Sequence, residues 1–204
     1  MGAIFFMKKY LIVFVTVMLF SPLVGARGVY ISSKGFIEGA FSGAAGAGGG
    51  NVESEKTAGK STLKVIRLTP ESQREIKQIL GKPYPAKRIR YWKRGERSAW
   101  IIDQIGKTEP ITVGVVVEQG KILELKILVF RESRGAEVRH SFFTDQFLGL
   151  NLNPSKKLSD YVDGITGATL SVIAVKKVAR LALYLDQFAS SIEPKSVGLL
   201  QPSR

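Results

Sequence analysis

The sequence predicts an α+β fold: a twisted antiparallel sheet with flanking helices, the C-terminal helix beginning at Thr169. Three observations predict it. Apolar runs between Ile89 and Phe130 are separated by breaks at Lys93-Arg94-Gly95-Glu96, Gly106-Lys107 and Gln119-Gly120, which have the length and residue types of hairpin turns. Helical spacing appears before and after this block. Apolar residues make up 45% and charged residues 23% of 204 residues, the balance of a folded soluble domain with one core.

Taken in order, the chain opens with Met7-Lys8-Lys9, an apolar stretch from Tyr10 to Val24, and Val24-Gly25-Ala26. Small residues stand where signal peptidase needs them, so residues 1–26 read as a signal peptide. The competing reading is an uncleaved anchor, but the apolar stretch is short for a bilayer span and Pro22 interrupts it. Residues 27–62 read as a flexible linker, because the Gly/Ala-rich stretch Gly39–Gly50 and the polar stretch after it offer little side-chain surface to bury.

The domain is expected over residues 63–190. Leu63 to Leu68 resembles a short strand. Thr69-Pro70-Glu71 is a helix start, with Thr69 as N-cap, Pro70 at the first helical position and Glu71 near the positive end of the dipole. Ile76, Ile79 and Leu80 form the apolar stripe of a helix ending at Gly81. Four strands follow: Ile89 to Trp92, Ala99 to Ile105, Ile111 to Glu118 and Ile122 to Phe130. Alternation over Leu123-Glu124-Leu125-Lys126-Ile127 places one face on a core and one in water. Ser141 to Leu150 is a short helix or turn whose Phe142, Phe143, Phe147 and Leu148 are read as core. A last helix runs from about Leu170 to Phe188, with Ile173, Val178, Leu181, Leu185 and Phe188 on or near one face. Residues 191–204 read as a loosely ordered tail.

The chain has no cysteine and one histidine, His140. Disulfides, c-type haem attachment, iron–sulfur clusters and lipoprotein acylation are thereby excluded, and a His-based metal site is not expected. Any redox centre must be organic. The formal charge is +13, and loss of Lys8 and Lys9 with the leader removes little of it. Such a field attracts acidic proteins or anionic lipid, or serves solubility alone; the export signal argues against nucleic acid.

The segment with chemistry is Asp163-Gly164-Ile165-Thr166-Gly167-Ala168-Thr169-Leu170-Ser171. A polar turn with small residues at a helix start suits a phosphate, which can approach unpaired N–H groups at the positive end of the dipole. The plainer alternative is a Ser/Thr cap after an Asp-Gly turn. The spacing matches neither a P-loop nor a dinucleotide fingerprint.

Asp163 to Thr169 resembles the Asp-x-x-Ser/Thr-Gly-Ala-Thr flavinylation motif of the FMN-binding domain. That family includes the C subunit of the sodium-translocating NADH:quinone reductase, the G subunit of the Rnf complex and small extracytoplasmic flavoproteins. The resemblance implies FMN joined through its phosphate to Thr169, by a flavin transferase that uses FAD and magnesium. It also implies a phosphate held by Thr166, Gly167 and Ala168, with Asp163 serving recognition by the transferase. Phe130-Arg131-Glu132-Ser133-Arg134-Gly135 is similar to the family's Glu-Thr-Pro-Gly segment. Glu132 and Gly135 fit it, while Ser133 and Arg134 depart; Arg134 is read as exposed.

The function implied is electron transfer in the periplasm or cell envelope, with a cytochrome or a membrane oxidoreductase as redox partner. A catalytic residue of the protein's own is not expected. Two alternatives stay open: the flavin domain of a substrate-reducing enzyme, and a cofactor-free basic binding protein of the envelope. Tyr84, Trp92 and Trp100 are the aromatic candidates to cover a flavin ring.

Overall fold

The computed structural model describes residues 28–42 and 61–193. The expected signal peptide, the Gly/Ala-rich stretch from residue 43 onward and residues 194–204 lie outside them. The hairpin turns read from the sequence produce the expected meander. Strands β2 (Thr62–Arg67), β3 (Arg88–Arg94), β4 (Arg97–Ile105), β5 (Pro110–Glu118) and β6 (Lys121–Phe130) pair antiparallel in sequence order. A two-residue strand, β1 (Gly28–Val29), pairs with the far end of β6, so the sheet order is β1-β6-β5-β4-β3-β2.

Helices cover both faces. On one face lie α2 (Pro70–Leu80) and α4 (Thr169–Ile192), with the short α3 (Ser141–Thr144) between them in sequence. The start of α2 is as expected: the Thr69 side chain accepts from the Ser72 N–H at 3.1 Å and Pro70 occupies the first turn. Ile66, Ile76, Tyr91, Trp100, Val113, Val115 and Leu125 meet Val175, Val178, Leu181 and Leu185 of α4 in the main core. Inside it the Trp100 indole lies 4.5 Å from the Tyr91 ring in a parallel stack and donates through Nε1 to the Ser98 hydroxyl at 2.7 Å. That hydroxyl donates to Asp186 of α4 at 2.6 Å.

The opposite face departs from the sequence reading. Residues 27–62 were expected to be linker, yet within them α1 (Ser33–Phe41) is an ordered helix, capped by Ser32, whose Oγ accepts from the Gly35 N–H at 3.0 Å. Phe36, Ile37, Ala40 and Phe41 pack on Ala99, Val116 and Leu128. The face of β6 expected to meet water does so at Glu124 and Lys126, which form an ion pair, but Leu128 on it is buried under α1, and Leu123, expected on the core face with Leu125 and Ile127, packs on the α1 side beside a register shift in the β5–β6 pairing. Gly114 of β5 admits the helix: a Cβ there would lie 2.6 Å from the Phe36 ring. Arg97 fastens the helix C-terminus by donating to the Ala40 carbonyl at 3.0 Å, where a cation is favoured by the dipole.

Two further corrections concern individual residues. Of the aromatics read as core in the 141–150 segment, Phe143 and Phe147 are buried, whereas Phe142 and Leu148 are exposed. Helix α4 also runs beyond residue 190, because Glu193 anchors its end. Lys64 donates to Glu193 at 2.6 Å, Lys93 at 2.5 Å and the Tyr91 hydroxyl at 3.1 Å. Those bonds, Lys64 first and then Lys93, hold the Glu193 carboxyl down at about 2 against some opposition from burial.

Two outcomes are expected. Gly114→Ala should lower stability by about 1–3 kcal/mol, since Phe36 must leave its seat; urea unfolding with an unchanged slope checks it. A carboxyl whose folded pKa is depressed stabilises above its unfolded pKa and loses that contribution as pH falls through the folded value. The fall in stability between the ordinary 4.5 and about 2 should therefore be shallower in Glu193→Gln than in the parent, measured by thermal unfolding across that range.

Candidate functional site

The motif segment reaches the sheet through two staples. The Asp163 N–H donates to Oε1 of Gln146 at 2.6 Å, and Lys176 of α4 donates to the Val162 carbonyl at 2.5 Å. Val162 itself is buried in the main core. From there the chain makes a β-turn in which the Ala168 N–H donates to the Ile165 carbonyl at 3.0 Å. Gly167, third in that turn, has φ +84°, a conformation glycine adopts without strain.

Helix α4 then starts at Thr169. Its N-cap is Ala168, and no side chain caps it. The alternative of a Ser/Thr cap is therefore not realised: neither Thr166 nor Thr169 takes that role. The first helical N–H groups have no acceptor within the helix, and the first to find one is that of Val172, bonded to the Ala168 carbonyl at 3.0 Å. Thr169, Thr166, Gly167 and Asp163 are exposed, while Ala168 is buried. The arrangement leaves a set of uncapped N–H groups, at the positive end of a 24-residue helix, next to an accessible threonine hydroxyl. An anion is favoured there by both the donors and the dipole.

The surroundings of Thr169 were not legible in the sequence. Ile173, read as part of the apolar stripe, is 43% exposed and Leu170 is 48% exposed. Tyr161 is 77% exposed, with the Lys176 ammonium 5.0 Å from its ring centre. Positions 169, 173 and 176 share one side of the helix, so these side chains form a small exposed apolar surface on the side that carries Thr169. Among the three aromatics considered from sequence, Trp100 is fully buried, Trp92 faces the α1 layer, and Tyr84 is half-buried on the chain following α2. Tyr161 was overlooked because it sits among Ser159, Asp160 and Asp163, where nothing distinguishes a loop tyrosine.

The second segment does two different things. Gly135, at φ +89°, abuts the helix start: a Cβ there would lie 2.5 Å from Ser171 Oγ and 3.5 Å from Ala168 Cβ. The two matched segments therefore meet at this contact. Glu132 faces elsewhere. It is buried, and its Oε1 accepts from the N–H groups of Lys107, Thr108 and Glu109 at 2.5, 2.7 and 2.9 Å, while the Thr108 hydroxyl donates to Oε2 at 3.1 Å. Burial alone would raise its pKa; the three backbone donors outweigh it and hold the carboxyl below its usual range. Glu132 thus locks the β4–β5 turn to the end of β6. Arg134 is exposed, as read.

A shallow cleft of about 900 Å³ runs along the β6 edge, between Tyr30 and the 139–149 segment. None of the motif residues lines it. Among the described residues there is no cluster of His, Cys, Asp and Glu suited to a metal, and no helix long and apolar enough to cross a membrane.

The family model of the FMN-binding domain matches residues 106–184. The chain carries an FMN-binding domain. The match begins in the turn that Glu132 locks, includes the Gly135 contact and the whole motif, and ends within α4. Strands β1 to β4 and helices α1 and α2 lie outside it, yet they complete the sheet and both cores around the FMN-binding domain. No curated protein and no solved structure matches the chain.

Glu132→Ala should cost about 1–3 kcal/mol by removing the charged acceptor shared by the Lys107, Thr108 and Glu109 N–H groups, read by chemical denaturation. Gln at this position should recover part of the loss.

Proposed function

We propose that this chain is an exported flavoprotein in which FMN is esterified through its phosphate to Thr169, and that it transfers electrons between redox partners outside the cytoplasm. The observation that carries the reading is the uncapped start of α4, with Thr169 as its first, exposed residue inside the matched domain.

The residues present fit the group. The N–H groups of the first turn would receive the phosphate oxygens, Gly167 and Ala168 leave the backbone open to close approach, and Thr166 adds a hydroxyl beside them. Leu170, Ile173 and Tyr161 offer apolar surface on the side of the helix that bears the attachment point. When bound, the flavin supplies the redox chemistry, and the protein contributes position and local field. Attachment is the work of a transferase: the Thr169 hydroxyl oxygen would form the new bond to the FMN phosphorus, AMP would leave from FAD, and magnesium would offset the phosphate charge. Asp163 is exposed, where a second protein or its metal can reach it. Gly135 serves the site by letting the loop after β6 lie against the helix start, and Glu132 acts farther off, by locking the β4–β5 turn to the beginning of that loop.

The signal-like N-terminus supports export, and an ester-linked cofactor suits a compartment from which a free one would diffuse away. The cationic balance supports a partner with an acidic docking face, such as a cytochrome or a membrane oxidoreductase.

Intact-mass measurement on protein co-expressed in the export compartment with an active flavin transferase tests this. The parent should gain an FMN-sized increment and visible absorbance, and Thr169→Ala should show neither. Because Thr169 is exposed, the substitution should leave stability within about 0.5 kcal/mol. An increment retained in Thr169→Ala, or missing from the parent, would remove the covalent assignment.

A further inference from the structure

Arg67, Arg88 and Arg90 stand together on the side of the β2–β3 pair that faces away from α4. Arg67 lies directly across from Arg88, and Val65 across from Arg90; residues paired in this way share a face. Their neighbours Ile66 and Ile89 are buried in the α4-side core, which assigns the arginines to the other side. All three are exposed. Like charges directly opposite destabilise a strand pair, yet among the described residues none of the three has an acidic partner in an ion pair. Asp103 of the adjacent strand β4 accepts instead from the Thr112 hydroxyl, at 2.5 Å.

Apolar side chains interleave with these cations. Leu63 and Val65 are 51% and 55% exposed, and Trp92, across from Leu63, is only partly covered. Helix α1 packs mainly over β4, β5 and β6 and reaches only the near end of this face, where Ile37 and Glu38 border a cleft with Leu63 and Trp92; among the described residues Val65 and the three arginines stay exposed. A lipid interface accepts both components: guanidinium groups at the phosphates and aliphatic groups at the acyl boundary. Position decides between occupants as well. Thr169 is on the α4 face, and the loop after β6 contacts its helix start, while β2 is the opposite edge of the sheet. A redox partner seated on the arginines would be separated from Thr169 by the whole sheet.

We propose that the β2–β3 face docks this domain onto an anionic lipid bilayer, with the start of α4 turned away from it. The choice of a bilayer over a redox partner, and the use of this orientation, rest on the flavin reading above; the quenching measured below does not.

The test uses the full-length protein and vesicles of phosphatidylcholine and phosphatidylglycerol with brominated acyl chains. The chain has two tryptophans and Trp100 is fully buried, so bromolipid quenching reports Trp92, and Trp92→Phe should abolish it. Quenching should appear with anionic vesicles, vanish as salt is raised, and fall about fivefold in apparent partitioning for each arginine replaced by serine. Leu63→Ser with Val65→Ser should weaken quenching while preserving its salt dependence. Thr169→Ala should be quenched like the parent, which separates this result from the fate of the flavin. Three outcomes would overturn the proposal: equal quenching by pure phosphatidylcholine, quenching indifferent to salt, or an unquenched Trp92 in a protein whose arginine face binds soluble polyglutamate. The salt titration on the unsubstituted protein decides the matter even where a variant folds poorly.

Discussion

Burial of one long side of α4 against the sheet determines where Thr169 stands. The helix is 24 residues long, and its inward side from Val172 to Ala189 is almost wholly buried. A helix seated by that many side chains cannot slide without unseating them all. Both ends are then tied separately: Glu193 is held by Lys64, Lys93 and Tyr91, while Gly135 presses on Ser171 and Ala168 at the start. Thr169 is thus placed by packing and by its neighbours' backbone, and its own side chain is left without a structural duty.

Much of the fold was legible because its signals are local. Turn chemistry at Gly95, Gly106 and Gly120 announced the meander, and Thr69-Pro70 announced α2. Helix α1 was not legible: two glycines in nine residues lower its helical propensity, and the Gly/Ala-rich stretch after it disguised four well-placed apolar residues as part of a linker. Exposure at Ile173 escaped for another reason. On α4 it shares a side with Lys177, Arg180 and Gln187, none of them buried, and stands opposite Val175, Ala179 and Ala182, which face the sheet. In the site, the motif was plain in one dimension, but the meeting of Gly135 with Ser171 and the engagement of Glu132 by a turn some two dozen residues earlier are tertiary facts.

The positive charge read as one total divides in three dimensions into groups with different employment. Lys64 and Lys93 clamp the end of α4, Arg97 bridges Glu118 and α1, and Lys156 ties its loop to Glu75 of α2. These cations are paired and screened by proximity to carboxylates. Among the described residues Arg67, Arg88 and Arg90 have no such carboxylate, and they stand together on one face at the β2 edge. Net charge alone could not have separated the two groups.

The ordered α1 also changes what β5 must satisfy. With Phe36, Ile37, Ala40 and Phe41 packed on Ala99, Val116 and Leu128, strand β5 is covered on both sides and buried along nearly its whole length. A change of volume on that strand therefore has no solvent face to relax into, and whichever way its side chain points it meets a packed layer.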